Sequence, residues 1–287
     1  MRKILILLLL SIYTSFAITI TTTVKSVADI VKEITKEKAK VYYIIPPNAS
    51  IHTYEYKASD LKKVYQSDIF LYIGSGEPNI NNIIKLLPKG KQIKVSDIKG
   101  IKLIKEFEFK EHTEEQKHHH ETFHPALWLD PENAKIIAKA VYKRLIKIDP
   151  RNKRIYEKNL KSFEKKVDEI IKYGKDKINK LKNKNFISYH YAWPYFTKRF
   201  GLKYLAVIEL GHGREPTPKH IIKLINLIKT NHIKSIFAAK QFYNPKYADL
   251  VKNATKVNII FLDPFGINKN YIQMIKFNID KVYEGLK

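Results

Sequence analysis

Residues 131–181, "PENAKIIAKAVYKRLIKIDPRNKRIYEKNLKSFEKKVDEIIKYGKDKINKL", form two long, charged segments in the middle of the chain. Each has apolar residues at helical spacing and follows an Asp-Pro step, in which Asp caps a helix and Pro takes its first turn. The second segment predicts a helix of about 30 residues, or about 45 Å at about 1.5 Å per residue. That is longer than one small domain needs, so the helix is expected to connect two parts of the chain.

Short apolar strands alternate with helices on both sides of this segment. "KVYYIIPP" and "IFLYIGSG" precede it, and "NFISYH", "LKYLAVIEL", "KSIFAA" and "VNIIFLDP" follow it. Such alternation indicates βαβ units and mainly parallel sheets. The predicted fold is therefore α/β, with two lobes joined by one long interlobe helix and a cleft between the lobes. The predicted boundaries are 18–150 for the first lobe, 151–182 for the helix and 183–287 for the second lobe.

The composition is that of a folded protein with an unusual charge. The 287 residues are 44% hydrophobic and 12% aromatic, and the formal net charge is +25. Lysines are spread along the whole chain without a nucleic-acid-binding fingerprint, so no nucleic acid partner is predicted. We interpret the charge as compositional bias on solvated faces, with attraction to anionic surfaces as the alternative.

The first seventeen residues have the three regions of a secretory signal peptide. "MRK" is cationic, "ILILLLL" is apolar, and "SFA" places small residues at Ser15 and Ala17. Residues 1–17 are therefore predicted to be a cleavable signal peptide, with a membrane-held signal anchor as the alternative. The chain has no cysteine, which excludes disulfides and predicts a periplasmic protein without a lipid anchor.

Several potential metal ligands lie at or just beyond predicted strand ends. His52 follows "KVYYIIPP", His190 ends "NFISYH" and Asp263 ends "VNIIFLDP". In parallel sheets, ligand sites lie beyond the carboxyl ends of the strands. Imidazole and carboxylate groups in a roughly tetrahedral shell suit Zn²⁺. A histidine-rich loop, residues 110–124, holds five of the ten histidines.

Motifs along almost the whole mature chain resemble the metal-binding solute-binding proteins of zinc and manganese ABC transporters, the zinc-uptake branch in particular. The matching stretches are "PPNASIHTYEYKASD", "IFLYIGSGEP", "ALWLDPENA", "DPRNKRIYEKNL", "YHYAWPYFTKRFGLK", "REPTPKHI" and "LDPFG". The resemblance implies metal ligands at His52, His190 and Asp263. It also implies a protein, expected to be a monomer, that delivers a divalent metal ion to an ABC permease in the inner membrane.

The chain departs from the family pattern at one ligand. The family has His two residues before Trp128, where this chain has Ala126. We predict that His124 supplies the third imidazole; the alternatives are another histidine of the loop or a water molecule. The run His118–His120 is predicted to collect zinc with lower affinity, or else to have no essential role. His212 is a reserve ligand or an exposed loop residue.

Ligand chemistry favours zinc over manganese. Manganese members of the family generally carry a carboxylate where His190 stands, because the harder ion prefers oxygen. Zn²⁺ is therefore the predicted cargo, with a manganese- or iron-binding member as the alternative. A zinc hydrolase would need an open coordination position and a nearby general base, and no His-Glu-x-x-His motif is present. The protein is predicted not to be an enzyme, and a metal-dependent adhesin is the remaining rival.

We predict that the signal peptide is cleaved after Ala17 to give a soluble periplasmic protein. The mature chain then begins at Ile18 and loses the two charges of Arg2 and Lys3. Mass spectrometry of the mature amino terminus checks this prediction. Recovery of membrane-held protein that still carries Met1 contradicts it.

Overall fold

The computed structural model describes residues 18–105, 123–209 and 215–287. It has two four-stranded sheets, with strand orders β2-β1-β3-β4 and β6-β5-β7-β8, and every strand pairing in them is parallel. The predicted α/β fold with two parallel sheets and a long helix is confirmed. The predicted signal peptide, His112, His118–His120 and His212 lie outside the described residues.

The first half builds one sheet and the helices around it. Its elements are β1 (Ile18–Val24), α1 (Lys25–Thr35), β2 (Ala39–Ile45), α2 (Ala58–Gln66), β3 (Ile69–Tyr72), α3 (Ile80–Lys85), β4 (Gln92–Lys94) and α4 (Pro131–Ile148).

The long helix α5 (Lys153–Ile178) leads into the second half. The elements that follow are β5 (Asn185–Ser188), α6 (Pro194–Phe200), β6 (Lys203–Val207), α7 (Pro218–Thr230), β7 (Ser235–Ala239), α8 (Pro245–Thr255), β8 (Asn258–Leu262) and α9 (Tyr271–Leu286). No helix in the three described ranges is both long and apolar enough to cross a membrane.

The structure adds three elements to the sequence-based prediction, namely β1, β4 and α9. Strand β1, "ITITTTV", consists only of the β-branched residues that favour strands, and it lies between β2 and β3. Its threonines Thr21, Thr22 and Thr23 are buried. The hydroxyls of Thr21 and Thr22 donate to the backbone carbonyls of Lys63 (3.1 Å) and Val24 (2.8 Å). Because these two buried hydroxyls are hydrogen-bonded, the polar run can form a central strand.

The two Asp-Pro steps behave differently. Asp130 caps α4 as predicted, and its carboxylate accepts from the Glu132 amide at 2.9 Å. Asp149 does not cap α5, because residues Pro150–Asn152 form a separate 3-10 turn before the helix begins. The Asp149 carboxylate instead accepts from the Tyr156 hydroxyl at 2.7 Å. The prediction that both helices start at their Asp-Pro step was therefore wrong for α5.

One large hydrophobic core extends through both halves, and a second, smaller core lies within the second half. The large core includes Ile20 and Phe70 from the first sheet and Phe237 from the second. Helices α5 and α9 contribute Phe163 and Tyr271, whose rings meet edge to face with centroids 5.9 Å apart. The long helix is thus one of several elements that join the two sheets.

Polar contacts reinforce this junction. The Trp128 indole N–H donates to the carbonyl of Pro264 at 2.7 Å, and the Tyr271 hydroxyl donates to the carbonyl of Trp128 at 2.8 Å. Arg199 of α6 makes a bidentate ion pair with Asp130, in which Nε donates to Oδ1 at 2.5 Å and Nη2 donates to Oδ2 at 2.8 Å. These bonds hold the loop before α4 against the second half.

We predict that Gly174→Ala destabilises the protein by about 1 to 3 kcal/mol, as expected when a packed core is overfilled. A Cβ at this position of α5 would collide with the ring of Phe200 and lie 2.8 Å from Ile279 Cδ1. The clash outweighs the better helix propensity of alanine, which is worth about 1 kcal/mol. Urea denaturation measures the change. Gly90→Ala is the control, because a Cβ there meets nothing within 4 Å; equal stability of the two variants contradicts the prediction.

Candidate metal site

Each sheet has a topological switch point at its carboxyl edge. The first strand of each half lies between the second and the third strands, so successive crossovers leave it in opposite directions. Ligands of parallel sheets bind at such points. His190 follows β5, the strand at the switch point of the second sheet, by two residues.

The strand register places a carboxylate beside His190. Ser188 pairs with Val207, and the pairing continues beyond the strands through a bond from the Glu209 amide to the carbonyl of Tyr189 (2.8 Å). His190 and Glu209 therefore stand opposite each other, and Glu209 Oε2 is 3.1 Å from His190 Nδ1. An Nδ1–H that donates to this carboxylate fixes the tautomer and leaves Nε2 as the metal-binding nitrogen.

The His190 ring is also held on its face. It stacks on Phe242, which follows β7, with ring centroids 4.2 Å apart and an angle of 19° between the planes. The His190 backbone carbonyl accepts from the Ser188 hydroxyl at 2.6 Å and from the Ala192 amide at 2.8 Å. The side chain is therefore oriented before any ion binds.

His52 faces His190 from the first half of the chain. The two ring centroids are 6.0 Å apart, and both rings line one cavity of about 520 Å³ together with Glu209, Glu215 and Phe242. The segment before His52 is tied to the second half by a bond from the Gln241 side chain to the carbonyl of Pro47 (2.5 Å). The cavity thus lies between the two halves, as the sequence predicted.

A tight turn after β3 supports His52. Gly76 has φ +76°, and a Cβ there would lie 2.9 Å from Pro125 Cγ and 3.3 Å from His52 Cε1. Only glycine allows this close approach. The buried carboxylate of Glu77 holds the turn by accepting from the amides of Ile73 (2.8 Å) and Gly74 (2.7 Å).

Both ring nitrogens of His124 contact the backbone. Nε2 donates to the carbonyl of Tyr191 at 2.7 Å, and Nδ1 accepts from the amide of Ala126 at 3.3 Å. His124 is buried, and its ring meets that of Tyr191 edge to face. A metal ion at either nitrogen must replace one of these bonds.

Asp263 follows β8 directly and is also buried. Its Oδ1 accepts from the amides of Gly266 (2.8 Å) and Phe265 (3.2 Å), and its Oδ2 lies 3.3 Å from Lys269 Nζ. Because Trp128 binds the carbonyl of Pro264, the loop that carries Ala126 lies beside the loop that carries Asp263.

The structure brings His52 and His190 together and adds Glu209. His124 and Asp263 lie in loops at the junction of the two halves and are not among the residues that line the cavity. Within the described residues, no three His, Asp or Glu side chains are grouped closely enough to hold one ion. The four-residue ligand set remains a prediction.

Glu209 is the site residue that the sequence analysis missed. It lies two residues beyond β6, the same offset that places His190 beyond β5. The strand-end argument that selected His190 and Asp263 therefore applies to Glu209 as well. The predicted strand "LKYLAVIEL" included this residue, whereas β6 ends at Val207.

A family model described as "zinc-uptake complex component A periplasmic" (ZnuA) matches residues 20–285. The chain belongs to this family. The sequence-based recognition of a metal-binding solute-binding protein of the ABC transporter type is confirmed at this level.

Proteins similar to this chain carry names for two metals. A manganese ABC transporter substrate-binding lipoprotein, PsaA of Streptococcus anginosus, is 30% identical over 275 residues, which cover 91% of this chain and 86% of PsaA. The high-affinity zinc uptake protein ZnuA of Bacillus subtilis is 28% identical, with 93% and 87% covered. A crystal structure of ZnuA has the same fold, with a TM-score of 0.82 at 23% identity over 94% of this chain and all of that one.

We predict that Glu77 makes stability fall as the pH rises. Burial raises the pKa of its carboxyl from 4.5 to about 7. The hydrogen bonds from the backbone amides of Ile73 and Gly74 lower the pKa, but burial has the larger effect. The folded protein then retains a proton that the unfolded chain releases, so this contribution is complete below about pH 4.5 and is lost as the pH rises through about 7. At about 1.4 kcal/mol per pKa unit, the full loss is about 3 to 4 kcal/mol. Between pH 5 and pH 8 it is about 2 to 3 kcal/mol.

Urea denaturation at pH 5 and pH 8 tests this dependence with Glu77→Gln, which has no carboxyl to ionise. The free energy of unfolding of the wild type, relative to this variant, should be higher at pH 5 by that amount. Glu284→Gln, at an exposed position on α9, is the control. Parallel pH profiles for the wild type and Glu77→Gln contradict the prediction.

Proposed function

We propose that this protein captures Zn²⁺ between its two halves and delivers it to an ABC permease in the membrane. The observation that carries the proposal is the pair His52 and His190. These residues come from opposite halves of the chain, yet their rings line one cavity with centroids 6.0 Å apart. Membership of the ZnuA family supplies the transport role.

The proposed ligands are His52, His190 and Asp263, with His124 as the third imidazole. For His190, the ligand atom is Nε2, because Nδ1 faces Glu209. A carboxylate behind a metal-binding imidazole also raises its basicity and keeps its orientation. Glu209 is therefore proposed to orient the ligand His190.

Zinc is preferred to manganese on the chemistry of these ligands. The relatives do not decide the metal, because names for manganese and zinc occur at 30% and 28% identity. Imidazole-rich sites bind Zn²⁺ more tightly than Mn²⁺ or Fe²⁺, and Mn²⁺ favours oxygen ligands. His190 and His52 give the site at least two nitrogen ligands, which supports Zn²⁺.

His124 reaches the metal only if its ring moves. To expose Nε2, it must give up the bond to the carbonyl of Tyr191, and to expose Nδ1 it must release the amide of Ala126. Each exchange replaces a hydrogen bond worth about 1 kcal/mol with a metal–nitrogen bond. The side chain of Ala126 is a methyl group and cannot bind a metal ion.

Export to the periplasm completes the proposal. PsaA is named a lipoprotein, whereas this chain contains no cysteine; an unlipidated periplasmic form therefore remains our prediction. A binding role, without catalysis, agrees with a family of transport components.

We predict that one Zn²⁺ binds per chain and that His190→Ala weakens binding by about 100-fold or more, since a ligand is lost together with its supporting contacts. Isothermal titration calorimetry measures the affinity. Zinc should also raise the melting temperature and release protons. Elemental analysis of the natively purified protein identifies the metal.

His232→Asn is the control, because His232 is exposed and its φ of +50° is one that asparagine tolerates. An unchanged affinity in His190→Ala removes His190 from the site. Comparison of His124→Ala with a deletion of residues 112–121 locates the third imidazole. Loss of tight binding in the deletion alone would assign it to the loop.

A further inference from the structure

The two carboxylate oxygens of Asp263 have different partners. Oδ1 accepts two backbone N–H bonds, from Gly266 (2.8 Å) and Phe265 (3.2 Å), which use both lone pairs of that atom. Oδ2 faces the ammonium group of Lys269 at 3.3 Å. Because the first oxygen is occupied by fixed backbone donors, a metal ion on Asp263 has to bind Oδ2.

Lys269 is held in place by its backbone. Its amide donates to the carbonyl of Gly266 at 3.1 Å. Its own carbonyl accepts from Lys25 Nζ at 2.7 Å, and Lys25 also pairs with the buried Asp29. The loop is therefore fixed from the first half of the protein, and Lys269 can leave Asp263 only by moving its side chain.

The Lys269 ammonium has other partners close to Asp263. It donates to the carbonyl of Ile267 at 3.1 Å and lies 4.4 Å from the centroid of the Phe277 ring. These contacts keep the ammonium beside Asp263 when no metal is bound. The same contacts can hold the ammonium group after an ion has bound Oδ2 of Asp263.

We propose that Lys269 is a built-in competitor for the metal, an internal cation that occupies the ligand oxygen of Asp263 until Zn²⁺ displaces it. The inference rests on the proposed function, in which Asp263 is a ligand. Binding then exchanges one cation for another at Oδ2, and the displaced ammonium still repels the ion from nearby. Both effects lower the affinity, which favours release of the cargo.

The prediction is that removal of this charge tightens binding. Lys269→Gln and Lys269→Met should bind Zn²⁺ about 2- to 5-fold more tightly than the wild type, the size expected for loss of one partly exposed ion pair. The difference in zinc affinity between these variants and the wild type should become smaller as NaCl rises from about 20 mM to about 500 mM, because salt screens the charge of Lys269. Competition titration with a zinc-binding dye measures the dissociation constants, and circular dichroism confirms that each variant is folded.

There are two controls: one keeps a positive charge at position 269, and the other removes a positive charge far along the chain. Lys269→Arg keeps a cation beside Asp263 and should bind no more tightly than the wild type. Lys172→Gln removes the same charge from an exposed ion pair with Asp176 on α5 and should change the affinity less than twofold. The wild type and Asp263→Asn complete the set.

The outcomes separate this inference from the proposed function. If Asp263→Asn binds zinc more weakly than the wild type, while neither neutral variant of Lys269 binds more tightly, the Lys269 inference is overturned and the proposed function stands. If Asp263→Asn binds as tightly as the wild type, Asp263 is not a ligand and the inference falls with that assignment. A wild type that binds no zinc overturns both proposals.

Discussion

Parallel pairing of β5 with its neighbours is the constraint on which the site depends. The register of Ser188 with Val207 sets Glu209 opposite His190, and pairing with β7 brings Phe242 onto the imidazole face. Because side chains alternate along a strand, a slip of one residue would turn His190 away from both partners. A backbone property of the sheet thus decides which nitrogen of one histidine faces the cavity.

Much of the architecture could be predicted from the sequence, because alternation and strand ends are local patterns. They predicted the parallel sheets, and they placed His52 and His190 at strand ends of the two halves, where both line one cavity. Long-range partners could not be predicted this way. His124 was chosen by its distance along the chain from Ala126, but its ring is held by the carbonyl of Tyr191, which is 67 residues away in sequence. Helix α9 was missed, although it packs on both halves.

Glu209 and Asp263 both follow strands of the second sheet. In each case, hydrogen-bond partners determine which atom remains available to a metal ion. Glu209 takes Nδ1 of His190 and so presents Nε2 to the cavity. Backbone amides take one oxygen of Asp263, and Lys269 shares the other. Neither role is visible in the residue type alone. Each follows from which donors the fold places within about 3 Å of the side chain.

The shared hydrophobic core limits how cargo can be exchanged. If the two halves swung apart as separate bodies, side chains such as Phe163 and Tyr271, both fully buried, would meet water. Exposure of 200 Å² of apolar surface costs about 5 kcal/mol at about 25 cal/mol per Å², a large part of the stability of an ordinary domain. Rearrangement of the loops at the carboxyl edges avoids that cost. We therefore expect the ion to enter and leave by movements of side chains and loops, while the framework beneath them stays closed.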